Sequence, residues 1–323
     1  MPSQDKILKT IKSALSRFDD KIPAMQGELY KLMLEEIKRL DTSGDTVKVT
    51  VKNLSTLNSI KNKLNRIILN PEYKGEIKEF AKSFNNVYKL QFEYWKEAEA
   101  TFKPRPLLKA IKNQAITDTV QQLTTKGISA NVSDAITGIL RTNITAGGSY
   151  KDLAEQMRQS LTNTPESKGI LDRYVKTVAT DSINQFNRQY TQIVSADLGY
   201  TWFRYMNSEI DTSRPFCQAM VENNSWFHIS QVPEMLQGKY LGQRMKYTDN
   251  IDGEVKSVQL YAKTGLPSGM VAGTNPENFF TRAGGWSCGH SIQPVNERQV
   301  PVDVREKVYQ TVEYKSWLKM QEK

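Results

Sequence analysis

The sequence predicts an α+β protein: a mostly helical N-terminal region, a small α+β C-terminal module with long loops, and a terminal helical arm. Three observations predict it. Apolar residues recur at helical spacing through nearly all of the first 200 residues. After Gly199 the texture turns to alternation broken by Gly, Pro and Asn, as in short strands joined by loops. From Val302 to Lys323 helical spacing returns. The chain has 323 residues, more than one usual domain length, so a division is expected at 1–105, 106–300 and 301–323.

The elements follow in order. Ile7, Leu8, Ile11, Ala14, Leu15 and Phe18 make one helical stripe, and Met25, Leu29, Met33, Ile37 and Leu40 another. Residues 41–45 read as a turn, and Val47, Val49 and Val51 alternate as in a short strand or extended link. Leu54 to Ile68 forms a further helix that Pro71 ends. A long helix is expected from about Tyr73 to Phe102, and Lys103-Pro104-Arg105-Pro106 places the main linker. Two helical patterns cover 107–125 and 131–145, and Gly147-Gly148 stops the second. Ser149-Tyr150-Lys151-Asp152 looks like a helix start, with the serine hydroxyl accepting an early backbone N–H. The stripe from Leu171 to Val194 gives the clearest helix, closed at Leu198-Gly199. Tyr200 to Met206 alternates as a strand does, and 244–247 and 254–262 flank Asp252-Gly253, a hairpin signal. The first reading of every stripe is core packing between elements.

Composition narrows the class. Hydrophobic residues at 38% and charged residues at 24% fit a globular chain and exclude a disordered or fibrous one. No apolar run is long enough for a membrane helix, and residues 1–6 lack the layout of a secretion signal, so no membrane partner and synthesis in a cytoplasm are expected. The net charge of +9 is uneven: residues 1–110 hold 21 Lys and Arg against 14 Asp and Glu. Lys48, Lys52, Lys61, Lys63 and Arg66 occur in a stretch without an acid. They are candidates to contact DNA phosphates or an acidic protein ring, the alternative being a solvated lysine-rich helix face.

The chain has two cysteines and two histidines, and all four lie between Cys217 and His290. The first block reads Asp211-Thr212-Ser213-Arg214-Pro215-Phe216-Cys217 and the second Gly284-Gly285-Trp286-Ser287-Cys288-Gly289-His290. Asp211 and Arg214 can form a charge-assisted pair, Gly284-Gly285 lets a backbone approach closely, and Trp286 offers an apolar anchor. Three readings stay open for Cys217, Cys288 and His290. They can bind zinc, with His228 or Asp211 completing a tetrahedron. They can form a cysteine hydrolase, with His290 or His228 as base, although no protease-like context surrounds either thiol. Or they are small buried side chains that pin two loops together. The Gly-rich piece Thr145 to Ser149 lacks the spacing and the following Lys of a phosphate loop.

The order of these features resembles the MuF-like phage head morphogenesis family, also called minor head or minor capsid proteins. The parts that carry it are Gly147-Gly148-Ser149, the helix bearing Ala179-Thr180-Asp181-Ser182, the strand Thr201 to Met206, the block Asp211 to Cys217, the block Gly284 to His290, and Ile292 to Val295. The match covers roughly residues 130 to 296; Gly289 stands where the family usually has Arg, and the stretch from Tyr240 to Thr274 is longer than usual. The resemblance implies a structural virion protein with no firmly attached enzymatic activity. It would sit inside the capsid near the portal protein and act in head assembly, with a further role in genome packaging or ejection. Major capsid or scaffold protein and packaged DNA are further partners it implies. The alternatives are a Cys/His-dependent hydrolase or toxin-like module, and a DNA-binding virion protein.

Overall fold

The two apolar stripes at the start of the chain belong to one helix, α1 (Gln4–Lys38), which carries Pro23 in its interior. The stripe stays in phase across the proline through Phe18, Ile22 and Met25, all buried, so packing outweighs the lost backbone hydrogen bond. A computed structural model describes residues 4–206, 213–222, 226–252, 254–260, 265–285 and 288–322, apart from the side chains of Asp20 and Thr125. The fold is α+β, as expected.

A tight hairpin follows α1: β1 (Thr42–Ser43) pairs with β2 (Thr46–Val47) around Gly44. Of the three alternating valines only Val47 is buried. Val49 is 60% exposed, and Val51, at 85%, begins helix α2 (Val51–Ile68). The strand expectation held for one residue of the three because Thr50 caps α2, its hydroxyl accepting from Asn53 N–H. Asn53 is itself buried; its amide donates to the Asp41 and Lys48 carbonyls, and its oxygen accepts from Asp41 N–H. Pro71 does not so much end α2 as open α3 (Pro71–Ala98), where Asn70 accepts from Tyr73 N–H. Helix α4 (Pro106–Leu123) starts at the second proline of the predicted break. The gap expected near 126–130 is absent: α5 (Thr125–Ile128) runs through a π turn at Ser129–Ser133 into α6 (Asp134–Ala146). Gly147 then ends α6 at φ 63°, and Ser149 caps α7 (Tyr150–Leu161). Helix α8 (Ile170–Asp197) is the long helix expected from the Leu171 stripe.

The remainder is built on a three-stranded antiparallel sheet of order β4-β3-β9, from β3 (Trp202–Met206), β4 (Trp226–His228) and β9 (Ser291–Val295). Phe203 and Tyr205 share a cluster with residues of α9 (Pro215–Glu222), α10 (Val232–Met235) and α11 (Phe279–Arg282). Trp202 lies in a second cluster with Val300, Val304 and Val308. Two hairpins lie between α10 and α11: β5 (Lys239–Tyr240) with β6 (Gln243–Arg244), and β7 (Lys246–Ile251) with β8 (Glu254–Gln259). The latter pair is almost wholly exposed. Helices α12 (Val302–Gln310) and α13 (Val312–Gln321) end the chain, and α12 is anchored through Val304 and Val308 rather than hanging free.

Contacts divide the chain into two compact units that interleave in sequence. One comprises Gln91–Ile111 and Ile183–Lys323; the other comprises Pro2–Leu90 and Lys112–Ser182. The sequence expectation divided the chain linearly, at 105 and 300. The contact boundaries instead fall inside α3, α4 and α8, where no break in composition marks them.

Ser149 donates to Asp45 Oδ2 at 2.6 Å while accepting from Asp152 N–H. Ser149→Ala is expected to lower stability by about 1 kcal/mol, read as an earlier urea midpoint at unchanged slope.

Candidate functional site

The cysteine and histidine blocks, separated by some 70 residues, meet at one buried point. Strand β3 supplies Tyr205, the first turn of α9 supplies Cys217, and the segment leading into β9 supplies Cys288 and His290. The two sulfurs are 3.8 Å apart, and Cys288 Sγ is 3.5 Å from His290 Nδ1. Tyr205 Oη donates to Cys217 Sγ at 3.3 Å and lies 3.7 Å from Cys288 Sγ. The Tyr205 and His290 rings stack at 5.2 Å. Cys217 is 2% exposed and Cys288 and His290 are each 7% exposed, so the cluster is shut off from solvent.

Two backbone devices close it. Gly284 and Gly285 both have positive φ, at 85° and 77°, which side-chain-bearing residues rarely adopt. Arg214 donates to the Gly284 carbonyl at 2.7 Å and so ties the α9 end to this turn. Asp211, its expected partner, and Trp286, the expected anchor, lie outside the described residues.

The residue that sequence reasoning missed is Arg188, on α8 and 6% exposed. Its guanidinium donates to the carbonyls of Cys288 at 2.6 Å, His290 at 2.5 Å and Thr281 at 3.3 Å. No carboxylate pairs with it among the described residues. The only sequence signal was an arginine inside an apolar helical stretch, between Phe186 and Tyr190.

Cys217 is pushed well above the ordinary thiol value by its hydrogen bond to Cys288 and by burial. Cys288 is held well below it, first by that same hydrogen bond and then, against the cost of burial, by His290 and the field of Arg188. Burial and the two sulfurs push the Tyr205 phenol well up. His290 Nε2 is buried without a hydrogen-bond partner among the described residues.

Cys217, Cys288 and His290 offer three ligand atoms within 4.8 Å of one another, so this set could hold a metal ion. His228 does not join it, which corrects the four-residue expectation. Its Nδ1 is used by Ser230, at 2.9 Å from the hydroxyl and 3.2 Å from the N–H, capping the turn after β4. Its ring packs edge-on against Trp202, Tyr314 and Trp317.

The basic candidates are mostly neutralised. Lys52 pairs with Asp41 at 2.6 Å, Lys61 with Asp134 at 2.5 Å and Lys63 with Glu36 at 2.7 Å, which leaves Lys48 and Arg66 exposed. Cations also converge on a cleft of about 280 Å³ lined by Lys6, Lys9, Thr10, Ser13, Arg17, Ser83 and Asn86, with no acid in its lining.

No known protein family, curated protein or solved structure matches this chain. Among the described residues no helix is long and apolar enough to cross a membrane.

Burial lowers the pKa of His228 to about 4. The folded state therefore resists protonation that the unfolded chain accepts near the ordinary value of about 6.5. Stability should be complete above pH 6.5 and fall as pH drops from there toward 4, by at most about 3 kcal/mol. His228→Phe should flatten that part of the stability–pH curve, measured by denaturant unfolding across pH 4–7.

Proposed function

We propose that this protein is a structural component of a phage head, a MuF-like minor head protein that binds the portal inside the capsid and acts in head assembly. One observation carries the reading. Arg214, Cys217, Cys288 and His290, residues on which the family resemblance rests, converge on a single buried clasp that closes a long insertion. Such a clasp is what a rigid scaffold module needs, and it explains why two blocks so far apart in sequence occur together.

The same geometry weighs against the hydrolase reading. A cysteine nucleophile needs a path for substrate, and both thiols are buried beneath the Gly284–Gly285 turn. The cavity of about 850 Å³ between residues 240–245 and 304–313 is lined by neither thiol and neither histidine. If the protein is a portal ligand, the full-length chain should co-elute with the portal protein of the same virus at a fixed ratio. Separate elution at micromolar concentrations of both would remove the proposal. Removing residues 1–105 is not a clean test of docking, because α1–α3 and α4–α7 contribute to one compact unit.

DNA binding is the second reading, and the cleft on α1 favours it. Lys6, Lys9, Ser13 and Arg17 fall on one face of that helix, and buried Ser83 lines the cleft beside them. Lys9→Glu with Arg17→Glu should abolish duplex binding and flatten its salt dependence, whereas Lys61→Gln with Lys63→Gln should change little. Equal effects of both pairs in a fluorescence-anisotropy titration would locate the contact elsewhere.

A further inference from the structure

We propose that the clasp is a zinc site with four protein donors: Cys217 Sγ, Cys288 Sγ, His290 Nδ1 and the Tyr205 hydroxyl oxygen. The inference deepens the structural reading of the clasp and stands apart from the portal reading.

The spacings carry it. Zinc binds sulfur at about 2.3 Å and nitrogen or oxygen at about 2.0–2.1 Å, and tetrahedrally. Two sulfurs on one such ion then lie about 3.8 Å apart, and a sulfur lies about 3.5 Å from a nitrogen or oxygen. The protein has 3.8 Å between its sulfurs and 3.5 Å between Cys288 Sγ and His290 Nδ1. Tyr205 Oη, at 3.3 and 3.7 Å from the two sulfurs, straddles the value for a fourth vertex. Its ring is fixed there by the stack on His290 and by β3, where it pairs in register with Ile292.

Gly284 closes one side of the cluster. An ideal Cβ on Gly284 would lie 2.3 Å from Cys288 Sγ, 2.8 Å from Tyr205 Oη and 3.1 Å from Cys217 Sγ. Three of the four donors thus pack against the Gly284 backbone so closely that no side chain fits there. The positive φ of 85° at the same residue is one that glycine adopts readily.

Charge closes the argument. The guanidinium of Arg188 is buried with no carboxylate partner among the described residues, and its partners include the carbonyls of two ligand residues, Cys288 and His290. Buried charge has to be balanced locally. Two thiolates and a phenolate offset one zinc and one guanidinium, whereas a neutral fourth donor would leave a buried positive charge.

The test uses the full chain, purified without chelator from zinc-supplemented growth. Elemental analysis should find one zinc per chain, lost in Cys288→Ser. Tyr205→Phe should keep the fold and bind zinc at least about tenfold more weakly in competition with a chromophoric chelator. Cobalt-reconstituted wild type should show a tetrahedral visible spectrum that Tyr205→Phe alters. Zinc absent on isolation and on titration, with circular dichroism intact, would overturn the site. An unchanged affinity and cobalt spectrum in Tyr205→Phe would overturn Tyr205 as a ligand while leaving a three-residue site. A chain that takes up no zinc on isolation or titration yet co-elutes with portal would reject this inference and leave the portal reading standing.

Discussion

A buried guanidinium stays charged, so the chain around it must supply oxygen. Arg188 meets that demand with backbone carbonyls from Thr281, Cys288 and His290. The returning segment is thereby fastened to α8 at Cys288 and His290, and much follows. With both carbonyls held there, the Cys288 and His290 side chains meet Cys217 and Tyr205. One residue later the chain enters β9, where Ser291 opposes Met206 and Ile292 opposes Tyr205, so the sheet register begins at the clasp. Without Arg188 the carbonyls would be unpaired in a buried region, at a cost of about 1–3 kcal/mol each.

Much of the helical half was legible in the sequence because long apolar stripes have one economical interpretation. The stripe from Leu171 to Val194 and the cap at Ser149 are examples. What misled was local. Val47, Val49 and Val51 alternate like a strand, yet the Thr50 cap and the buried Asn53 amide fold the chain into a hairpin and a helix start. Pro71 stops one helix and starts the next, and periodicity alone cannot tell these apart. The interleaved units could not be read, because their boundaries fall inside continuous helices, where a linear scan of composition sees nothing.

The site was half legible. Scarcity drew attention to two cysteines and two histidines, and three of those four meet. His228 had the same chemical qualification, but its nitrogen serves Ser230 and its ring serves an aromatic cluster. Tyr205 and Arg188 were invisible because tyrosine on a strand and arginine on a helix are ordinary. Only the convergence of distant segments gives them meaning. The basic stretch misled in the same way: its acids were absent from the local sequence and arrived from α1, α6 and the turn at Asp41.

The insertion between the two halves of the clasp has a consequence for how the chain can vary. Once its ends are fastened, closure entropy depends only logarithmically on what lies between, and doubling a loop costs about 0.6 kcal/mol. The stretch is not free throughout, since Met235, Tyr240, Met245 and Leu260 are built into the module's core. The β7–β8 hairpin, almost entirely in solvent, is the exception. Beyond Tyr247, which packs on the core, and Thr248, whose N–H donates to Glu222 of α9, residues can be added or replaced at its outer end without disturbing the fastened ends, which makes that end the natural place to graft a reporter or a recognition loop.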